Sequence, residues 1–144
     1  MTALPNIPRL YTALAECLAV GIYALPLGIR FGKTATIAAS AAWALALSAF
    51  LQATGRVPLA WWIPCMAAAV GIQYLYLWVT RTISLLEAGY VCARAFVLAE
   101  LAASVEWQLH CFLWPQRSGA DGLSLLLLVV VYGGVFGCIW VLEH

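Results

Sequence analysis

The sequence predicts an all-α protein, a multi-pass transmembrane helical bundle of about five spans, forming one integral membrane domain over residues 1–144. Three observations predict it. Of the 144 residues, 65% are hydrophobic and only 9% are charged, whereas a soluble domain carries roughly 25% charged residues. A soluble fold of this size has too few charges to cover its surface. The apolar residues also fall in long runs, which fits membrane spans and not one soluble core. Short links bearing Arg, Gly and Pro separate those runs.

The same composition excludes some functions. A net charge of +1 leaves no basic patch for nucleic acid. Cys17, Cys65, Cys92, Cys111 and Cys138 form neither a CxxC pair nor a Cys/His cluster with metal spacing; they read as small apolar side chains in helix contacts. The opening MTALPNIPRL lacks the basic n-region and cleavage site of a signal peptide, so the first apolar run is expected to stay as a span.

The first span is expected over residues 10–29, preceded by Pro5, Pro8 and Arg9, with a kink at Pro26. Glu16 lies two turns in. It either reaches the headgroups or faces inward and pairs with a cation such as Arg94. The second span, 34–52, repeats small residues at Ala38, Ala42 and Ala46, a spacing that allows close helix approach in lipid. The third, 59–79, opens with Trp61 and Trp62 and closes with Tyr74, Tyr76 and Trp78, matching the two aromatic belts. Pro64 is placed in its first turn, and Gln73 is expected to hydrogen-bond to another helix.

Thr80, Thr82 or Ser84 is expected to cap the fourth span, 84–114. Its 31 residues would reach about 46 Å, beyond a hydrocarbon core of about 30 Å, so one end projects or the helix tilts. The link PQRSGADG then leads to the fifth span, 123–142, which is uncharged and carries Gly133 and Gly137 in GxxxG spacing, a packing or dimerisation face. Five spans place the termini on opposite sides. The positive charges nearly balance: Arg30, Lys33 and Arg81 against Arg9, Arg56 and Arg117. The GIRFGK link and Asp121 tip the count toward a cytoplasmic C-terminus.

The fourth span is the unusual one, because it carries Glu87, Arg94, Glu100 and Glu106. Charges at membrane depth are costly and are kept for a purpose. At 100° per residue, Glu87 and Arg94 lie about 20° apart and Gln108 within about 40° of Arg94. Glu100 and Glu106 are each rotated about 120° from the preceding charge, so the three charges from Arg94 onward point to three faces and line no single path. Ala95, Ala99 and Ala103 form a separate small stripe continued by Trp107. This pattern predicts a helix enclosed by protein, with Arg94 neutralised by Glu87 or Glu16, since a lone buried arginine is far costlier than a paired one.

Catalytic sets are missing. HExxH, a Gly-rich phosphate loop and a nucleophile elbow do not occur, and no cofactor motif is present. Glu106 and His110 stand at i,i+4, but two ligands do not make a metal site.

The run ARAFVLAELAASVEWQL, Ala93 to Leu109, resembles the membrane sensor region of bacterial GHKL-type sensor histidine kinases. The positions that carry the resemblance are Arg94, Phe96, Ala99, Glu100, Ser104, Glu106, Trp107, Gln108 and Leu109; Leu101 and Val105 depart from it. The resemblance implies a signal-input module of a two-component system in the bacterial cytoplasmic membrane. In that reading Arg94, Glu100, Glu106, Trp107, Gln108, Glu87 and Glu16 form the ligand or switch set, and the partners are the bilayer, a second copy, and a kinase domain or response regulator reached through a longer parent chain. No phosphoacceptor helix or ATP-binding boxes occur in the 144 residues, so the expectation is a sensor domain of a longer protein or a kinase-less relative, and histidine kinase activity only in such a parent. The alternatives are a small transporter or channel subunit using Glu16, Arg94 and Glu100, and a structural membrane subunit.

Overall fold

The computed structural model describes residues 9–113 and 122–144. Pro5, Pro8, Trp114, Arg117, Asp121 and the link over 115–121 lie outside them. Among the described residues the protein is all-helical: α1 (Arg9–Ala24), α2 (Lys33–Ala53), α3 (Leu59–Thr80), α4 (Leu85–Leu113) and α5 (Gly122–Glu143). Each apolar run becomes one helix, because a backbone in lipid must satisfy its hydrogen bonds within its own segment. Four helices, α2 to α5, are long and apolar enough to cross a membrane. The first is shorter than expected. It ends at Ala24 and not near residue 29, and the chain turns at Leu25–Leu27 through a Leu27 N–H to Ala24 carbonyl bond. Pro26 terminates the helix where a kink was expected, since it offers no N–H and disfavours helical geometry at the residue before it. Pro64, conversely, sits past the first turn and α3 continues through it.

α1 packs against α2, α4 and α5, most extensively against α4; α4 also meets α3 and α5, and α2 meets α3. The α1–α4 seam is built from alanines. Ala15 and Ala19 on one side and Ala95, Ala99, Ala102 and Ala103 on the other are wholly buried, and side chains this small let two helix axes approach closely. The expected stripe Ala95, Ala99 and Ala103 is therefore in the core, although it continues through Glu106 and His110 and not through half-buried Trp107. The similar stripe on α2 is not: Ala38, Ala42 and Ala46 face outward, and α2 buries Thr36, Trp43, Leu47 and Leu51 instead.

On the α2–α3 side, Tyr76 stacks on Trp43 with ring centroids 4.4 Å apart and its hydroxyl meets Ser40. Gln73 is fully buried and meets α4 as expected, its Oε1 lying 3.9 Å from the Cys92 thiol. All five cysteines are free. At one end of the bundle the α1–α2 and α3–α4 links pair backbone to backbone, with Arg30 N–H donating to Thr80 and Thr82 N–H to Gly28. A Cβ on Gly28 would run into the Thr82 side chain, so the close approach requires glycine there.

Ser84 is the residue that caps α4. Its N–H donates to Glu87 Oε2 at 2.8 Å, and the Glu87 N–H donates to Ser84 Oγ at 3.2 Å, a reciprocal capping box. The excess length of α4 is taken up by a stagger. α3 lies along its first half, through Tyr74 to Leu85 and Cys92 to Val70. α5 lies along its second half, from His110–Ser124 to Arg94–Glu143.

Candidate functional site

The charged residues of α4 go to three destinations. Glu87 is spent on the cap and does not reach Arg94. Arg94 pairs with Glu143, at the C-terminal end of α5. Its guanidinium also lies over the Tyr23 ring of α1 at 4.6 Å and the Tyr90 ring of α4 at 5.5 Å, so one cation ties together the ends of α1 and α5 by an ion pair and cation–π contact. The expected partners Glu87 and Glu16 are thus replaced by a residue just past the last apolar run. Beside this contact runs a cleft of about 410 Å³ walled by Tyr23, Tyr90, Arg94, Val97, Leu98 and Leu101.

Glu100 and Glu106 turn inward with Glu16. Glu16 and Glu106 are 1% and 0% exposed, and neither oxygen of either carboxyl meets a hydrogen-bond donor among the described residues. Glu100 is half-buried with one such oxygen. Glu16 of α1 and Glu106 of α4 are thus buried where the two helices pack on each other and on α5. Around them Tyr132 donates to the Tyr11 carbonyl at 2.9 Å, Tyr11 and Ser124 hydroxyls lie 3.5 Å apart, and Ser124 Oγ lies 3.4 Å from His110 Nδ1. Desolvated carboxyls without donors are expensive, so Glu16 and Glu106 are a feature the fold tolerates and does not need for stability.

The remaining expected site residues are scattered. Trp107 is half-buried and stacks on His110 at 4.9 Å, while Gln108 is exposed. Gly133 and Gly137 are exposed with open space where a Cβ would stand, so their face of α5 contacts no other helix of the described chain. Among the described residues no group of three or more His, Cys, Asp or Glu is placed to hold a metal ion. Sequence reasoning passed over Glu143, Tyr23, Tyr90, Tyr11, Ser124 and Tyr132. The signal for Tyr132 was available, as a hydroxyl in the middle of a helix otherwise without polar side chains at that depth; for Glu143 only its position at the helix end was. No family model, curated protein or solved structure matches the chain.

Proposed function

We propose that the chain is the signal-input membrane domain of a bacterial sensor of the two-component type, with α5 as its output helix and α1 completing a fifth crossing. The observation that carries this reading is the Arg94–Glu143 pair. It fastens the end of the last helix to the helix that also borders the acidic interior, so a change around α4 is transmitted to whatever follows α5. Along its middle α5 offers open glycines to the bilayer or to a second copy, leaving the polar contacts at its two ends to set its position.

The test is a chimera in which residues 1–144 are joined in frame to the cytoplasmic kinase core of a sensor histidine kinase and reconstituted in lipid nanodiscs. Arg94→Ala and Glu143→Ala should each shift autophosphorylation several-fold in the same direction while far-UV circular dichroism stays unchanged. Unaltered kinase activity in both variants would reject the reading. A second reading, an ion or proton conduit, is favoured by the full burial of Glu16 and Glu106 without a hydrogen-bond donor among the described residues. Proteoliposomes with a pH-sensitive dye decide it: flux that is lost in Glu16→Gln and Glu106→Gln supports a conduit, and flux no faster than in empty vesicles dismisses it.

A further inference from the structure

Three polar side chains from three helices meet at the end of the bundle where α1 and α5 begin. Tyr11 is the third residue of α1, Ser124 is the third of α5, and His110 stands three residues before the end of α4. The Tyr11 and Ser124 hydroxyls lie 3.5 Å apart, and Ser124 Oγ lies 3.4 Å from His110 Nδ1. All three residues are buried, and each can both accept and give a proton. The row is held from outside: Tyr132 donates to the Tyr11 carbonyl, and the Trp107 ring stacks on His110. One turn deeper on the same face of α4 stands Glu106, wholly buried, with neither carboxyl oxygen bonded to a donor among the described residues. Residues four apart on a helix are neighbours, with Cβ atoms about 5–6 Å apart.

We infer that Glu106 is a proton-binding site that fills and empties through the row His110, Ser124 and Tyr11, from the end of the bundle where α1 and α5 begin. A carboxylate buried without a donor is far costlier than the neutral acid, so the resting group carries its proton. The carboxyl is tied to no donor and is free to swing toward His110, as the first transfer requires. On release, Glu106 gives its proton to Nε2 of His110 while Nδ1 gives one to the Ser124 oxygen. The Ser124 hydroxyl passes its own proton to the Tyr11 oxygen, and the Tyr11 proton leaves to water at the helix ends. Each member of the row gains one proton and loses one, the imidazole changes tautomer, and the negative charge stays on Glu106; uptake is the reverse. The other charged residues on this half of the three helices are Arg9, Glu16 and Glu100. Two of these three are carboxyls, which favours uptake over release. Exchange at one end needs no passage across the bundle, so the site stands whether or not the chain conducts.

Infrared spectroscopy of the intact chain in lipid nanodiscs tests the site. The carbonyl stretch of a protonated carboxyl stands apart from the amide bands and moves down when deuterium replaces the proton. Glu106→Gln should remove one such band, which assigns it. After transfer to deuterated water, the rate at which that band moves reads proton exchange at Glu106. Ser124→Ala and Tyr11→Phe should each slow it about a hundredfold, the low end of what a positioned proton-transfer group contributes, and Ser124→Thr, which keeps a hydroxyl, should preserve it. A merely structural loss would loosen the packing and speed exchange, so the sign separates a relay from a scaffold. Should Glu106→Gln not fold, a lipid-soluble carbodiimide, which adds to protonated carboxyls in apolar surroundings, reads the same proton: peptide mass spectrometry should find Glu106 modified in the unaltered chain. An unmodified Glu106, no band lost in Glu106→Gln, or exchange that is unchanged or faster in both Ser124→Ala and Tyr11→Phe would overturn the inference. Slowed exchange in those variants, with proteoliposome flux no faster than in empty vesicles, supports the site and removes the conduit alone. Flux in a chain whose Glu106 exchanges independently of the row overturns the site and leaves the conduit.

Discussion

Two alanine stripes of identical spacing make opposite predictions. Ala95, Ala99 and Ala103 on α4 are wholly buried against α1, whose Ala15 and Ala19 are equally buried. Ala38, Ala42 and Ala46 on α2 face outward. Ala99→Leu inserts three carbons where neither helix has room to yield, and forcing extra methylenes into a packed core costs about 1–3 kcal/mol. Ala42→Leu adds the same atoms to an outward face and should change stability by no more than about 0.5 kcal/mol. The two variants are matched in chemistry, and both replace one good helix former with another, so their difference reports packing alone. Reversible unfolding of the purified protein by SDS in mixed micelles, followed by far-UV circular dichroism, measures both. Equal losses, or a larger loss for Ala42→Leu, would refute the placement of the α1–α4 seam.

Other outcomes follow from single contacts. Tyr132→Phe removes the donor to the Tyr11 carbonyl and should destabilise by about 0.6 kcal/mol, the average for such bonds in a membrane bundle, read in the same SDS titration. Ser84→Ala and Glu87→Ala each open the reciprocal cap of α4, so amide exchange in its first turn should accelerate in either variant and no further in the double variant; additive acceleration would argue against a shared box. Pro26→Ala restores an N–H that the Ile22 carbonyl is placed to accept in a continued helix, so amide protection should extend past Ala24, and unchanged exchange over residues 25–27 would show that the Gly28–Thr82 pairing, and not the proline, stops α1.

The existence of each helix was legible because long apolar runs admit few alternatives in lipid. Their facing was not, for a physical reason. When nearly every side chain is apolar, the 3.6-residue period carries little contrast, and the α2 and α4 alanine stripes look alike until their neighbours are known. The four-residue rule marks where close approach is permitted, not where it happens. The Glu87–Arg94 pairing failed differently. An angle of about 20° on one helix takes no account of the unpaired N–H groups at a helix start, which compete for the same carboxylate and are nearer; the pattern Ser84-x-x-Glu87 already contained the correct answer. Glu143 was missed as the partner of Arg94 because it lies one residue beyond the expected end of the last span.

Which helix can move follows from how each is held. α1 is the shortest, yet nine of its sixteen residues are buried, and its seam with α4 is alanine on alanine, an arrangement that resists sliding because any shift opens voids or collides. α4 was expected to be enclosed on most sides, but it shows the bilayer a stripe through Leu86, Tyr90, Val97, Leu101 and Phe112, each more than half exposed. It is held by α1, α3 and α5 and is open along this stripe. α5 is different again. Among its buried residues, Ser124 and Tyr132 contact α1 or α4 by hydrogen bonds, and its far end is fixed by Arg94. Polar contacts of this kind exchange partners at little cost, as a close-packed seam does not. Of the three helices α1, α4 and α5, α5 is therefore the one that shifts at least cost, and the Arg94–Glu143 pair is placed to control that shift.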